Sequence, residues 1–197
     1  MTTAVTTRAM CAVAASATLL ASATAAHPAA AQAGVLSGVQ GVAIDVQRPA
    51  AITVAVLSGA SQSIPSIVQG AVHFFPSPVS IRTAWDLHPS TGSLSLLAYF
   101  ATPAQALANG TSYLASSTLK GRVPTGLPTT YTPFTQNGVG AAGTAAGSLR
   151  LFAVNITGVN KRAARTDNLE LQLDLTGVSS LTAGTYAGTL NLRAVTQ

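Results

Sequence analysis

Leu169-Glu-Leu-Gln-Leu-Asp-Leu-Thr176 places leucine at every second position, so Leu169, Leu171, Leu173 and Leu175 share one face of a pleat and Glu170, Gln172 and Asp174 share the other. Such alternation marks a half-buried β-strand with one wet face. Each buried leucine contributes on the order of 1.5–3 kcal/mol. A slip of one residue would bring three polar side chains into the core, so the register is firmly set.

The same pattern returns downstream. In Leu181–Gln197, "LTAGTYAGTLNLRAVTQ", Tyr186, Gly188, Leu190, Leu192 and Ala194 alternate with Thr185, Ala187, Thr189, Asn191 and Arg193, and 185–196 reads as a second strand. The connection 177–184 is too short for the crossover helix that parallel neighbours require. The two strands are therefore either an antiparallel pair or neighbours across a sandwich. Upstream, 148–158 reads as a strand with Phe152, Val154 and Ile156 on one side. Residues 79–87 and 93–100 flank the turn "HPSTG" and read as a hairpin. Two further strands, 42–47 and 51–57, are separated by Pro49.

Helical signals are few. Thr102 as N-cap, Pro103 at the first helical position and Asn109-Gly110 as the stop predict one short helix. Residues 123–147 hold three prolines and five glycines and read as a long loop or a disordered tip. "NKRAARTDN" (160–168) reads as a solvated loop between strands. Short strands with regular turn signals and a single brief helix predict an all-β fold, an antiparallel β-sandwich.

Arg8 is the only Lys, Arg, Asp or Glu in the first 40 residues, and the apolar, small-residue stretch Ala9–Ala26 follows it. This is the layout of a secretory signal peptide, with cleavage after Ala25 or, preferably, Ala31. The expected organisation is a signal peptide over 1–31 and a single sandwich domain over 32–197. The stretch is too rich in Ala, Ser and Thr for a membrane span, so the mature chain is expected to carry no transmembrane anchor and to be secreted or held at the cell surface. The only cysteine, Cys11, leaves with the signal, and with it any disulfide, thiol nucleophile or thiolate metal site.

Removal of Arg8 leaves nine basic against five acidic side chains, a net of +4. That excess is dispersed and does not interleave with aromatics, which argues against nucleic-acid binding. Charged residues make up 8% of the chain, so the surface must be built largely from Thr, Ser, Asn, Gln and Gly.

No catalytic constellation is visible. His73 and His88 stand at no zinc spacing, and no Gly-x-Ser-x-Gly elbow occurs. Asp86 and His88 are two apart without a partnered nucleophile. Glu170 and Asp174 read as solubilising residues of a wet strand face rather than as a glycosidase pair. The sequence therefore predicts no enzyme activity, no metal and no cofactor.

The closing stretch "LTAGTYAGTLNLRAVTQ", with "RTDNLELQLDLTG" before it, resembles the last strands of secreted bacterial β-sandwich proteins, including pilus-type and spore-coat-type subunits. The resemblance covers about the last 35 residues and implies an immunoglobulin-like sandwich with a surface or assembly role. This chain departs from many such subunits in lacking a disulfide and a C-terminal aromatic. Trp85-Asp86-Leu87 also matches a Trp-x-Leu signature of cell-wall-binding domains, although an inter-sheet anchor explains Trp85 more simply.

Two functional readings stay open. The first is an exported, non-enzymatic structural or adhesive surface protein, a filament subunit included, whose partners are copies of itself or other surface subunits. In it, Val42, Ile44 and Val46 form a donor strand for a neighbour's sheet. The second is a carbohydrate or cell-wall binding module, with Tyr99, Tyr113, Tyr131 and Phe134 as stacking faces for an extracellular glycan.

Overall fold

A computed structural model describes residues 49–197, all within one compact unit. Its strands are β1 (Ala51–Ser58), β2 (Val72–Phe74), β3 (Val79–Asp86), β4 (Ser93–Tyr99), β5 (Leu107–Asn109) and β6 (Ser112–Leu114), then β7 (Leu119–Arg122), β8 (Thr132–Pro133), β9 (Ser148–Asn155), β10 (Arg162–Asp174) and β11 (Asn191–Thr196). The large antiparallel sheet has the order β1-β3-β10-β7-β8, and β2 joins the second half of β10. The small sheet has the order β11-β4-β9, while β5 and β6 form a separate hairpin. The signal peptide assigned to 1–31, the strand expected at 42–47 and the donor residues Val42, Ile44 and Val46 lie outside the described residues.

The leucine row is the spine of the large sheet. Its strand, β10, is 13 residues long; the first part pairs with β3, and the second is flanked by β2 and β7. Leu169, Leu171, Leu173 and Leu175 are all buried, as their alternation requires. They face Leu94, Leu96 and Ala98 of β4 and Phe152 of β9 in one core. Trp85 of β3 lies 6.4 Å from Phe152 between ring centroids, and its indole N–H donates to the Asn160 carbonyl at 2.9 Å. Trp85 is thus an inter-sheet anchor, and the molecule is an all-β sandwich.

Several elements differ from the sequence reading. Residues 79–87 and 93–100 do not form a hairpin, because β3 pairs with β1 and β10, whereas β4 pairs with β9 and β11. Both strands carry an apolar row, and the short 3-10 turn at Pro89–Thr91 carries the chain across the sandwich so that the rows meet face to face. "NKRAARTDN" is no solvated loop, since β10 begins at Arg162. Its inward row simply continues the leucine row backwards through Asp167, Arg165 and Ala163.

The predicted helix is a single 3-10 turn, Pro103–Gln105. Leu107–Asn109 pairs as β5 with β6 instead. The second strand of the closing stretch starts at Asn191 rather than at 185. Before it, the chain runs close over β5: Ala187 and Ala108 exchange backbone hydrogen bonds of 2.8 and 3.0 Å. A β-carbon on Gly188 would overlap the Ala106 carbonyl oxygen, so only glycine fits this crossing. β10 and β11 lie in opposite sheets, which selects the cross-sandwich alternative.

The Pro/Gly-rich stretch 123–147 is a packed loop. Leu127 donates to Leu151 and Phe134 to Leu119, while Gln136 and Ser148 bond each other through their backbones. The Ser116 hydroxyl, within hydrogen-bond distance of the Phe134 and Ala146 carbonyls at 2.8 and 3.2 Å, binds the loop from below. Residues 138–143 cover the outer face of the small sheet over Leu97, which is fully buried.

Candidate functional site

Two features of the sandwich stand out: an apolar cleft at one end and a mixed aromatic and charged patch on the outside of the large sheet. The cleft follows from the topology. Among the described residues β1 pairs only with β3 and β11 only with β4, so each sheet ends in an edge strand, and the core between the sheets opens where β1 ends and β11 begins. The opening has a volume of about 950 Å³. Leu171 and Leu173 line it from β10, Phe100 from just past the end of β4, Ile64 and Ile67 from the segment after β1, and Leu190 from the segment before β11. Val56, 42% exposed, and the adjacent Leu57, 56% exposed, leave apolar surface on the β1 edge.

Neither wall segment is regular, and both are tethered by side chains. Gln62 donates to the Gly59 carbonyl at 3.1 Å, and Gln69 donates to the Ser179 carbonyl at 2.7 Å. His73 Nε2 accepts the Val68 N–H at 2.9 Å, tying the first wall to β2. On the other wall, the Asn109 amide donates to the Ala183 carbonyl at 3.2 Å. Tyr186, Leu190 and Leu192 pack against the core and complete the apolar lining.

The outer patch arises from the wet face of β10. Glu170 stands opposite Arg122, and Gln172 stands opposite both Phe74 and Lys120. The Glu170 carboxylate accepts from Arg122 Nε at 2.8 Å and from the Tyr131 hydroxyl at 3.1 Å. The Arg122 guanidinium lies 4.7 Å from the Tyr131 ring centroid, and Phe74 meets Tyr131 edge to face at 5.6 Å. The hydrogen bond to Glu170 raises the pKa of Arg122, and desolvation, followed by the Glu170 bond, raises that of Tyr131. Lys120 pairs with Asp174 at 2.6 Å. That contact, reinforced by the Thr176 hydroxyl and backbone N–H, holds the Asp174 carboxyl far below the usual carboxylate range.

The four proposed stacking residues do not form one platform. Phe134 is fully buried and packs edge to face on Phe100 at 5.3 Å, so it belongs to the core and offers no surface to a ligand. Its ring packs over Gly121 of β7, where a β-carbon would come within 3.3 Å of it. Tyr99 sits at the end of β4, half-buried, and Tyr113 on β6, exposed. Of the four, only Tyr131, half-buried, meets an exposed ring, and that ring is Phe74. The adjacency of Phe74 and Phe75 held the missed signal: neighbours on a strand point to opposite faces, so one of the two must face outward.

The acidic residues among those described have basic neighbours. Asp86 lies 3.5 Å from Arg162, while His88 bonds Ser90 through Nδ1 at 2.7 Å. Asp167, fully buried, is held bidentately by Arg165, with Nε to Oδ2 at 2.7 Å, and the same guanidinium lies 4.4 Å from the Phe152 ring centroid. Among the described residues no helix is long and apolar enough to cross a membrane, and no three His, Cys, Asp or Glu side chains gather as a metal site. Comparison with family models, curated proteins and solved structures finds no match to the chain.

Proposed function

We propose that this chain is an exported, non-enzymatic surface protein that assembles by accepting an apolar strand from a neighbouring copy into its open cleft. The observation that carries the reading is the cleft itself, a mostly apolar opening of about 950 Å³ between two sheet edges, with Gln62, Gln69 and Thr189 among its polar lining. Small-molecule sites reach roughly 300–1,000 Å³, so this opening has room for a short extended segment. An added strand offers backbone hydrogen bonds to a free edge and alternate side chains to the pockets behind it.

The donor is the segment 42–47, "VAIDVQ". Val42, Ile44 and Val46 alternate with Ala43, Asp45 and Gln47, which gives it one apolar and one wetter face. The low overall charge suits a subunit that covers part of its surface with its neighbours. The likeness of the last 35 or so residues to pilus-type and spore-coat-type subunits points to the same role, with the immunoglobulin-like sandwich it implies. Signal-like residues 1–31 supply the route to the cell surface.

Light scattering and electron microscopy of the protein with and without residues 32–47 test the reading. Oligomers or filaments formed only when the segment is present are expected. A strict monomer in both cases would overturn it.

A further inference from the structure

We propose that the outer face of the large sheet around Phe74 is a second site, a platform for a neutral carbohydrate chain built from β-linked, gluco-configured pyranose rings. It is independent of the strand-accepting cleft: Phe75 lines the cleft, and Phe74, next to it on the strand, faces the other way. Phe74 is 59% exposed on the outward side of β2, which among the described residues pairs only with β10, with Val72, 39% exposed, two residues before it and Gln172 opposite, and its ring is held edge to face against Tyr131. The Arg122 guanidinium over Tyr131 and the Glu170 bonds to both fix that ring in turn. A ring set by its neighbours before a ligand arrives loses little entropy on binding.

The chemistry around Phe74 selects the ligand class. Across the strands run Phe74, Gln172, Lys120 and Pro133, each opposite the next, so the distance from Phe74 to Lys120 is on the order of 10 Å at ordinary strand spacing. Among the described residues the Gln172 amide makes no hydrogen bond within the protein, which leaves two N–H donors and a carbonyl acceptor beside the ring. Lys120 and Arg122 are matched by Asp174 and Glu170, so the patch has no net charge to draw in a phosphate, a nucleic acid or an anionic membrane. An apolar ring beside unspent amide groups and neutralised ion pairs fits a neutral ligand with a flat C–H face and hydroxyls around its rim. Pyranose rings with equatorial hydroxyls have that form.

The test is calorimetric titration of the full chain with the hexamers of β-1,4-linked glucose and of β-1,4-linked N-acetylglucosamine, for the native protein, Phe74→Ala and Gln172→Ala. Saturable binding of at least one hexamer is expected. Phe74→Ala should weaken it about tenfold or more, and Gln172→Ala should weaken it less, with both variants still unfolding cooperatively and self-assembling as the native protein does. No binding of either hexamer at millimolar concentration would overturn the proposal. Binding that survives Phe74→Ala would do the same, as would a loss of self-association in that variant, which would make the patch a contact between copies.

Discussion

Replacing Arg165 by methionine leaves the Asp167 carboxylate without its counter-charge at a position with no solvent access. In the native sandwich Arg165 holds both carboxylate oxygens, donates to the Thr125 carbonyl at 3.1 Å and covers the Phe152 ring. Breaking a buried pair by removing one partner costs about 3–5 kcal/mol, a large share of the roughly 5–15 kcal/mol that holds a domain together. For a body of this size, that corresponds to a fall in melting temperature of roughly 6–20 °C. Asp167→Asn should cost less, because the Arg165 side chain keeps 29% exposure and two other partners. Replacing both residues, Arg165→Met with Asp167→Val, removes the two charges together and should recover most of the loss, since well-packed apolar replacements of buried pairs are often neutral. Urea unfolding of the native protein, Arg165→Met, Asp167→Val alone and the double variant closes a double-mutant cycle and gives the coupling. A coupling above about 2 kcal/mol is expected for a charge pair of this burial. Additive losses, or an Arg165→Met loss below about 1 kcal/mol, would refute the claim that the pair bears on stability.

Phe134→Ala tests the reassignment of that ring from surface to core: a loss of about 3–5 kcal/mol is expected, and a loss below about 1 kcal/mol would return the ring to the surface. Asp174 supplies the pH dependence. Its carboxyl is held below the range it has in the unfolded chain, so its contribution is present at neutral pH and above the unfolded carboxylate pKa of about 3.9, and is lost as pH falls through the folded value. Asp174→Asn should therefore lower the melting temperature at pH 7 and converge with the native protein in strong acid. An equal difference at pH 7 and in strong acid would refute the assignment.

The leucine row at 169–175 was legible because period-two alternation reports which side chains share a face, and all four leucines are buried. Alternation says nothing about which strand lies alongside. For that reason 79–87 and 93–100, each amphipathic and joined by a turn-prone pentapeptide, read as a hairpin although they stand in opposite sheets. The inward row of β10 was open to the same rule beyond its leucines. Arg165 and Asp167 stand two apart and two before Leu169, so a bidentate pair at the end of an apolar row was visible once the alternation was extended past the charges. Phe134 was not legible, since an aromatic in a Pro/Gly-rich loop gives no local sign of whether the loop folds back over the core. Tyr131 was picked out by type, but its partners Phe74, Arg122 and Glu170 come from three different strands, and only the sheet registers bring them together.

Self-assembly through the cleft is tested most directly by mixing two full-length variants, each damaged on one side of the same junction. Ile44→Asp spoils the donor segment, and Val56→Asp places a charge at the cleft on a residue already 42% exposed, where folding is little affected. Mass measurement by light scattering should find each variant monomeric alone, and the equimolar mixture should form a heterodimer that stops there, since each pair retains a single intact donor and acceptor. Two variants that assemble alone as the native protein does, or a mixture that stays monomeric, would contradict the account.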